Sequence, residues 1–333
     1  MPVVALRVVD VDVASDAAIG TWFDAYTGGL SADRPEAMVI SLHATVAGLR
    51  QPDQAVSALA VEAIDAGRVV GAALLEVPRL DNPATAWVTV AVPPAARGRG
   101  VGAALWDHLV DRLAAQSRTV VHAAIAVPLG RDVASWPGTR FAAARGFLDR
   151  HVEDHLVLDL PWRGSVERSA ASAGYRIRSW TGPCPDDLLD AYAELRTAMG
   201  RADPTGDLVY EPPVWDPARI RVNEDRTETR YRAVVSLAQA PNGDPAGYTL
   251  IHLDRGSTED ALQDDTLVLS GHRGRGVGTA LKTANLRQLD THRATRRLLH
   301  TWTSQSNAAI REVNTHFGFR TVETLHEYER RSS

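Results

Sequence analysis

The string Arg97-Gly-Arg-Gly-Val-Gly102 recurs unchanged as Arg273-Gly-Arg-Gly-Val-Gly278, 176 residues later (273 against 97). Alternate glycines permit unusual dihedrals and leave no side chain between the backbone and a ligand. When such a turn opens a helix, several N–H groups and the helix's positive end converge on one concavity, which suits phosphate. A dinucleotide site needs an acidic residue at the end of the next strand. The apolar runs Val120–Val127 and Leu298–Thr303 hold neither Asp nor Glu. No Gly-Lys-Ser/Thr follows the strings either, which excludes a nucleoside-triphosphate loop. Coenzyme A, which carries a pyrophosphate, remains. Other chemistry-bearing residues carry less. His151 and His155 are spaced for one strand face, about 13 Å apart, too far to share a metal. Cys184 sits between two prolines without a nucleophile's context, and Ser270-Gly271 lacks the flanks of a nucleophile elbow. The arginines at 287, 293, 296 and 297 read as a solvated helix end, with the 3′-phosphate of coenzyme A as the other reading.

The elements that must position these strings repeat with them. Gly71-Ala-Ala-Leu-Leu-Glu-Val77 aligns with Gly247-Tyr-Thr-Leu-Ile-His-Leu253 at the same offset, and Arg145-Gly-Phe147 with Phe317-Gly-Phe319 at 172. A period this long means two copies of a whole domain. We expect domains at 1–161 and 175–333, joined by a small, polar linker at 162–174. Each copy reads as a mixed α/β domain: an opening strand, helical stretches, a two-strand hairpin, a strand into the glycine string, a helix, a strand, a helix ending at Gly-Phe, and a closing strand. The strand before the second string is expected at Thr266–Leu269. Composition agrees: 333 residues suit two domains, and 44% hydrophobic with 23% charged residues is globular. A net charge of −5 excludes a broad electrostatic grip on nucleic acid or on an anionic membrane. One cysteine excludes an intramolecular disulfide and a multi-cysteine zinc site. The residues from Met1 onward read as no signal peptide, and no apolar run spans a bilayer, so the cytoplasm is the expected location.

Val90-Thr-Val92 through Gly102, and Thr266-Leu-Val268 through Gly278, each followed by a long helix, a strand and Gly-Phe, resemble the GNAT superfamily of acyl-CoA N-acyltransferases. Asn307 through Phe319 is similar to that family's last helix and turn. The resemblance covers nearly the whole chain as two domains, in a layout similar to that of mycothiol synthase, with no motif assigning that enzyme's substrate. It implies that each domain is a mixed, mostly antiparallel twisted sheet flanked by helices, with a splayed parallel strand pair. It also implies direct transfer of an acyl group, acetyl above others, from acetyl-CoA to a primary amine of a small molecule, with no metal.

In that reading the coenzyme is bound by Val92, Arg97, Gly98, Arg99, Gly100, Val101 and Gly102 in copy one. Copy two supplies Val268, Arg273, Gly274, Arg275, Gly276, Val277, Gly278 and Asn307. The attacking amine must lose a proton, and copy two offers Asp264, Asp265 and His252 as bases, the first two where the glycine-string strand begins. Glu76 stands at the position of His252 in copy one, and His272 is expected to shape the turn. Tyr210, Glu211 and Trp215 would suit a cationic, partly apolar amine by charge and cation–π contact. The tyrosine usual as general acid is replaced by Ala142 and Asn314, although a thiol of pKa near ~8.5 departs as thiolate at modest cost. Ser135 replaces Asn307 in copy one, so copy two is the expected catalytic half. A non-catalytic acetyl-CoA-binding tandem, regulatory or scaffolding, is the alternative. Monomer and homodimer are both open.

Overall fold

The structure, a computed structural model, describes residues 6–51, 55–164 and 174–332; of the expected linker, residues 165–173 lie outside these. The chain forms two compact units, Met1–Val152 with Gly206–Glu211 and Glu323–Ser333, and Glu153–Thr205 with Pro212–Val322. These do not follow the sequence repeats 1–161 and 175–333. Each repeat's closing strand divides, and part of it completes the sheet of the other unit. Strand pairing is set by which edge is open in space, a non-local property that the order of elements does not carry.

In the first unit, β1 (Arg7–Asp10), β2 (Val56–Asp65), β3 (Arg68–Pro78) and β4 (Thr85–Ala91) are antiparallel neighbours in that order. Ala66 and Gly67 join β2 to β3 with φ of 48° and 79°, the two positive values that a tight right-twisted hairpin requires. β4 then pairs in parallel with β5 (Val120–Pro128), but only over Thr85–Trp87 against Val120–His122. Beyond that point the strands separate, and β5 pairs antiparallel with Glu323–Arg331 of β12 (Arg320–Arg331). Helix α1 (Asp16–Leu30), capped by Ser15, lays Ile19, Trp22 and Ala25 on one face of the sheet. The Trp22 indole donates to the carbonyls of Val61 and Ala73. On the other face, α3 (Val101–Ala115) buries Val101, Leu105, Leu109 and Leu113, an i,i+4 stripe. The remaining helices of this unit are α2 (Leu42–Arg50) and the short α4 (Pro137–Ala143).

The second unit repeats this order. Strands β7 (Arg176–Thr181), β8 (Tyr231–Gln239), β9 (Pro245–Asp254) and β10 (Asp260–Val268) are antiparallel. β10 meets β11 (Leu298–Ser304) in parallel over Asp260–Leu262 only, and β11 pairs antiparallel with Glu153–Asp159 of β6 (Leu148–Asp159). Helices α5 (Leu189–Ala202) and α6 (Pro217–Glu228) precede the hairpin, while α7 (Val277–His292) and α8 (Ala308–Phe317) follow the glycine string. α7 buries Asn285, whose amide donates to Val234 O and accepts from the Ser236 hydroxyl, so its burial leaves no polar atom unpaired. Both units are therefore mixed, mostly antiparallel sheets with a splayed parallel pair and flanking helices. No helix among the described residues is long and apolar enough to cross a membrane.

Two expectations need correction. The strand before the second glycine string starts at Asp260, not Thr266; its polar residues Asp260, Gln263, Asp264 and Asp265 hid it from a search for apolar alternation. Arg296 is no solvated helix end: it is buried and donates to the carbonyls of Asp254, Ser257 and Asp260, tying the loop after β9 to the turn before β11.

Candidate functional site

The two glycine strings have matching conformations. Gly98 and Gly100 have φ of 72° and 81°, Gly274 and Gly276 of 70° and 72°. A Cβ built on Gly98, Gly100 or Gly274 would meet no atom within 4 Å, so packing does not require glycine there. Backbone dihedral does, and the space stays open to a ligand. Val101 and Val277 follow as the first residues of α3 and α7, whose first-turn N–H groups have no intrahelical acceptor. A short 3-10 turn, Pro94–Ala96 or Ser270–His272, separates each splayed strand from its string.

The string arginines are used internally as well. Arg97 Nε donates to Val92 O at 3.0 Å, and Arg273 Nε to Val268 O at 3.1 Å. Arg99 pairs with Asp65, and Arg275 reaches the Tyr175 hydroxyl, which also meets His272 Nδ1 at 2.8 Å. His272 thus braces the turn. Asn307 caps α8, its side chain accepting from Ile310 N–H.

In the first unit the splay opens into a cavity of about 520 Å³. β4 lines it from Val88 to Val90, Val92 just after it, β5 from Ala123 to Ala126, and the string at Gly98, Gly100 and Gly102. Trp106 of α3, and Ala142 and Phe147 from the Gly-Phe end, close its floor. The cleft thus runs from the glycine turn to the point where the sheet closes.

In the second unit β10 bulges. Gln263 faces Ile251 and Thr266 faces Thr249, so Asp264 and Asp265 together oppose one residue of β9. The buried Gln263 amide supports the bulge by donating to Asp265 O and Leu250 O. The two carboxylates then have different partners. Asp264 Oδ2 lies 3.3 Å from His252 Nε2. Asp265 Oδ2 accepts from the Tyr248 hydroxyl and lies 3.5 Å from Arg196 Nε. Burial raises both carboxyls, but the hydrogen bond and charge of His252 bring Asp264 below its usual value. Asp265 stays raised, by burial and then by its neighbour Asp264, against the opposing pull of Arg196. Asp203 is pushed up to about 6 by burial and by the charges of Asp265 and Asp264. His252 Nδ1 is buried and has no hydrogen-bond partner. A neutral imidazole that donates from Nε2 to Asp264 leaves Nδ1 with a lone pair, the form a proton acceptor takes.

The three expected acceptor-binding residues are not brought to one unit. Tyr210 and Glu211 belong to the first, where Glu211 exchanges backbone hydrogen bonds with the Asn82 side chain. Trp215 belongs to the second, its ring 4.6 Å from the Arg196 guanidinium and 4.8 Å from that of Arg219. Its π face already holds protein cations. Sequence reasoning missed Arg196, Tyr248 and Asp203 beside Asp265; Arg196, inside α5, and Asp203, its C-cap about two turns later, carried no motif. Glu76, the counterpart of His252, raises Tyr26, which burial first drives up to about 12. Asn314, in place of the tyrosine, donates to Thr303 Oγ1, and Ala142 offers the cleft only a methyl. Burial, then Glu224, raises the Cys184 thiol to about 12, which makes it unreactive. His151 and His155 fall in different units. Among the described residues no three metal-ligating side chains converge.

These features agree with what the chain resembles. The sequence profile of the acetyltransferase (GNAT) family matches residues 20–132 and again 201–319. No curated protein matches the chain. Among solved structures, a tandem GNAT protein from the clavulanic acid biosynthesis pathway, without AcCoA, is 28% identical with a TM-score of 0.80, over 99% of both chains. A GCN5-related N-acetyltransferase from Sphaerobacter thermophilus shares the fold at 16% identity and a TM-score of 0.70, over 98% of this chain and 95% of its own. With two profile matches, two splayed sheets and two glycine turns, the chain belongs to the acetyltransferase (GNAT) family, as a tandem of two such domains.

Proposed function

We propose that the chain is a cytoplasmic N-acetyltransferase that moves an acetyl group from acetyl-CoA directly to a primary amine of a small molecule, mainly in its C-terminal unit. The observation that carries this reading is the β10 bulge, which puts Asp264, paired with His252 of β9, and Asp265 on the strand that leads into a glycine turn. Val268 and residues 273–278 would hold the coenzyme. The amine nitrogen attacks the thioester carbonyl carbon, and the C–N bond forms as the C–S bond breaks. His252, oriented by Asp264, takes the amine proton at Nδ1, and the thiolate leaves to be protonated by solvent. Asp203, Asp264 and Asp265 against one Arg196 form an acidic pocket that favours a cationic acceptor. Of the three expected acceptor contacts, Trp215 alone lies in this unit.

A second reading, a tandem that binds acetyl-CoA without transferring it, is favoured by Ala142 and Asn314 in place of the usual acid. Release of CoA thiol from acetyl-CoA, followed across a panel of diamines, amino sugars and amino acids, separates the two. Transfer should fall at least ~100-fold in His252→Ala and in Asp265→Asn. Binding of acetyl-CoA with no turnover of any amine supports the second reading, and full activity in both variants removes the assignment of bases.

A further inference from the structure

His122 is the last residue of β5 to pair with β4, opposite Trp87, and therefore stands where the splay begins. On the strand face that carries Trp87 and His122, the cavity's last lining residues are Thr89 and Ala124. Side chains two apart on a strand share a face, about 7 Å along. Trp87 and His122 are thus the next groups on those faces beyond the cavity's closed end. His122 is the titratable side chain that β5 brings there, beside Tyr26, which bonds Thr89, and Glu76, which pairs opposite Trp87.

Its surroundings are built rather than incidental. His122 and Glu329 are cross-strand partners, 2% and 1% exposed, with Nε2 and Oε2 3.3 Å apart. Glu329 is held in turn by the Val209 N–H at 2.7 Å and by Arg331 Nε at 2.6 Å. The Trp87 ring meets the imidazole edge-on at 4.9 Å. His122 Nδ1 is buried and has no hydrogen-bond partner. Leaving a buried ring nitrogen unpaired is costly, and packing alone gives no reason to retain it. The second unit keeps a histidine at the same register: His300 is the last residue of β11 to pair with β10, and its Nε2 faces a carboxylate too, Asp260 Oδ2 at 3.6 Å. The flanking sequences have diverged, as Val121-His122-Ala123 against Leu299-His300-Thr301 shows.

We propose that His122, oriented by Glu329, is the proton-carrying residue of a second reactive site, in the first unit. The inference rests on the coenzyme occupying the first unit's cleft. The reaction then runs without the missing tyrosine. As the amine attacks the thioester carbon, its N–H proton passes to His122 Nδ1, forming an imidazolium beside the Glu329 carboxylate. When the C–S bond breaks, the same proton passes to the departing thiolate, which leaves as CoA thiol and restores the neutral ring. Burial lowers the His122 pKa against the pull of Glu329, which keeps the resting ring neutral, and the Glu329 carboxylate beside it stabilises the imidazolium once a proton arrives.

Free CoA is a probe that needs no acceptor. The full chain carrying Gly276→Glu, which places a carboxylate in the second glycine turn, is saturated with CoA, and thiolate absorbance is followed against pH. A thiol that faces His122 ionises by handing its proton to the ring, so the bound thiol should titrate at least about one unit below the ~8.5 of an ordinary thiol. His122→Asn and the milder Glu329→Gln, each also saturated, should return the titration to the free value. If the asparagine variant does not fold, Glu329→Gln carries the test alone. A bound thiol that titrates alike in all proteins overturns the proposal while leaving the coenzyme cleft intact. Failure of calorimetry to detect CoA binding to the Gly276→Glu protein overturns both.

Discussion

Arg97 donates from Nε to the carbonyl of Val92, and Arg273 does the same to Val268. The residue that opens each glycine string is thereby tied to the end of the splayed strand before it. A guanidinium can hold that carbonyl and still present its other N–H groups to an anion; a lysine ammonium has no such fork. Arg97→Lys and Arg273→Lys should each weaken acetyl-CoA binding at their own turn about tenfold, as read by calorimetry on the full chain. Equal affinity in either variant would mean the tie is dispensable.

The paired glycines at 71 and 247 should differ in their tolerance of alanine. A Cβ on Gly247 would run into the Leu267 carbonyl oxygen, which is fixed in the β9–β10 ladder. A Cβ on Gly71 would come within 2.5 Å of Val101 Cγ1, a side-chain atom at the start of α3. Backbone cannot give way as a side chain can. Gly247→Ala should cost about 3 kcal/mol and Gly71→Ala about 1 kcal/mol in denaturant melts.

Lys282, the chain's single lysine, occupies in α7 the place of Trp106 in α3, and is 2% exposed with its ammonium 5.1 Å from the Phe319 ring. Burial lowers its pKa from 10.5 to about 7. The unfolded chain therefore holds a proton that the folded one gives up between about pH 7 and 10.5, and wild-type stability should rise with pH across that window. Lys282→Met should raise the melting temperature of the second unit at pH 7 and below, by a gain on the order of 4 kcal/mol that closes near pH 10.

Asp203 titrates near 6 in the folded protein against an ordinary 3.8. The folded chain keeps this proton to higher pH than the unfolded one, so its contribution is lost as pH rises from about 4 to 6. The same ionisation adds a negative charge beside Asp264 and Asp265. For the best amine found in the panel, KM should fall as pH passes through about 6, and Asp203→Asn should flatten that step. A KM step that persists in the variant assigns the titration elsewhere.

The duplication, the glycine turns and the α/β order of each copy were legible because each rests on local pattern: positive φ demands glycine, strand alternation has period two, and the α3 and α7 stripes have period near four. Boundaries were less legible where charge interrupts alternation, as the aspartates of β10 did. The site was legible as residue types only. Asp264, Asp265 and His252 could be named, but their separate partners follow from a bulge that no linear spacing marks.

What the sequence determined by itself is therefore the family, the tandem and the two glycine turns, since short-range sterics and local pattern decide all three. Only the tertiary structure decided who meets whom. Val209 and Glu329, from the second half of the chain, come to His122 in the first unit because open strand edges are completed by whatever segment reaches them. Hydrogen bonding across strands has no sequence distance built into it, so a buried pair such as His122 and Glu329, separated by 207 positions, leaves no trace along the chain.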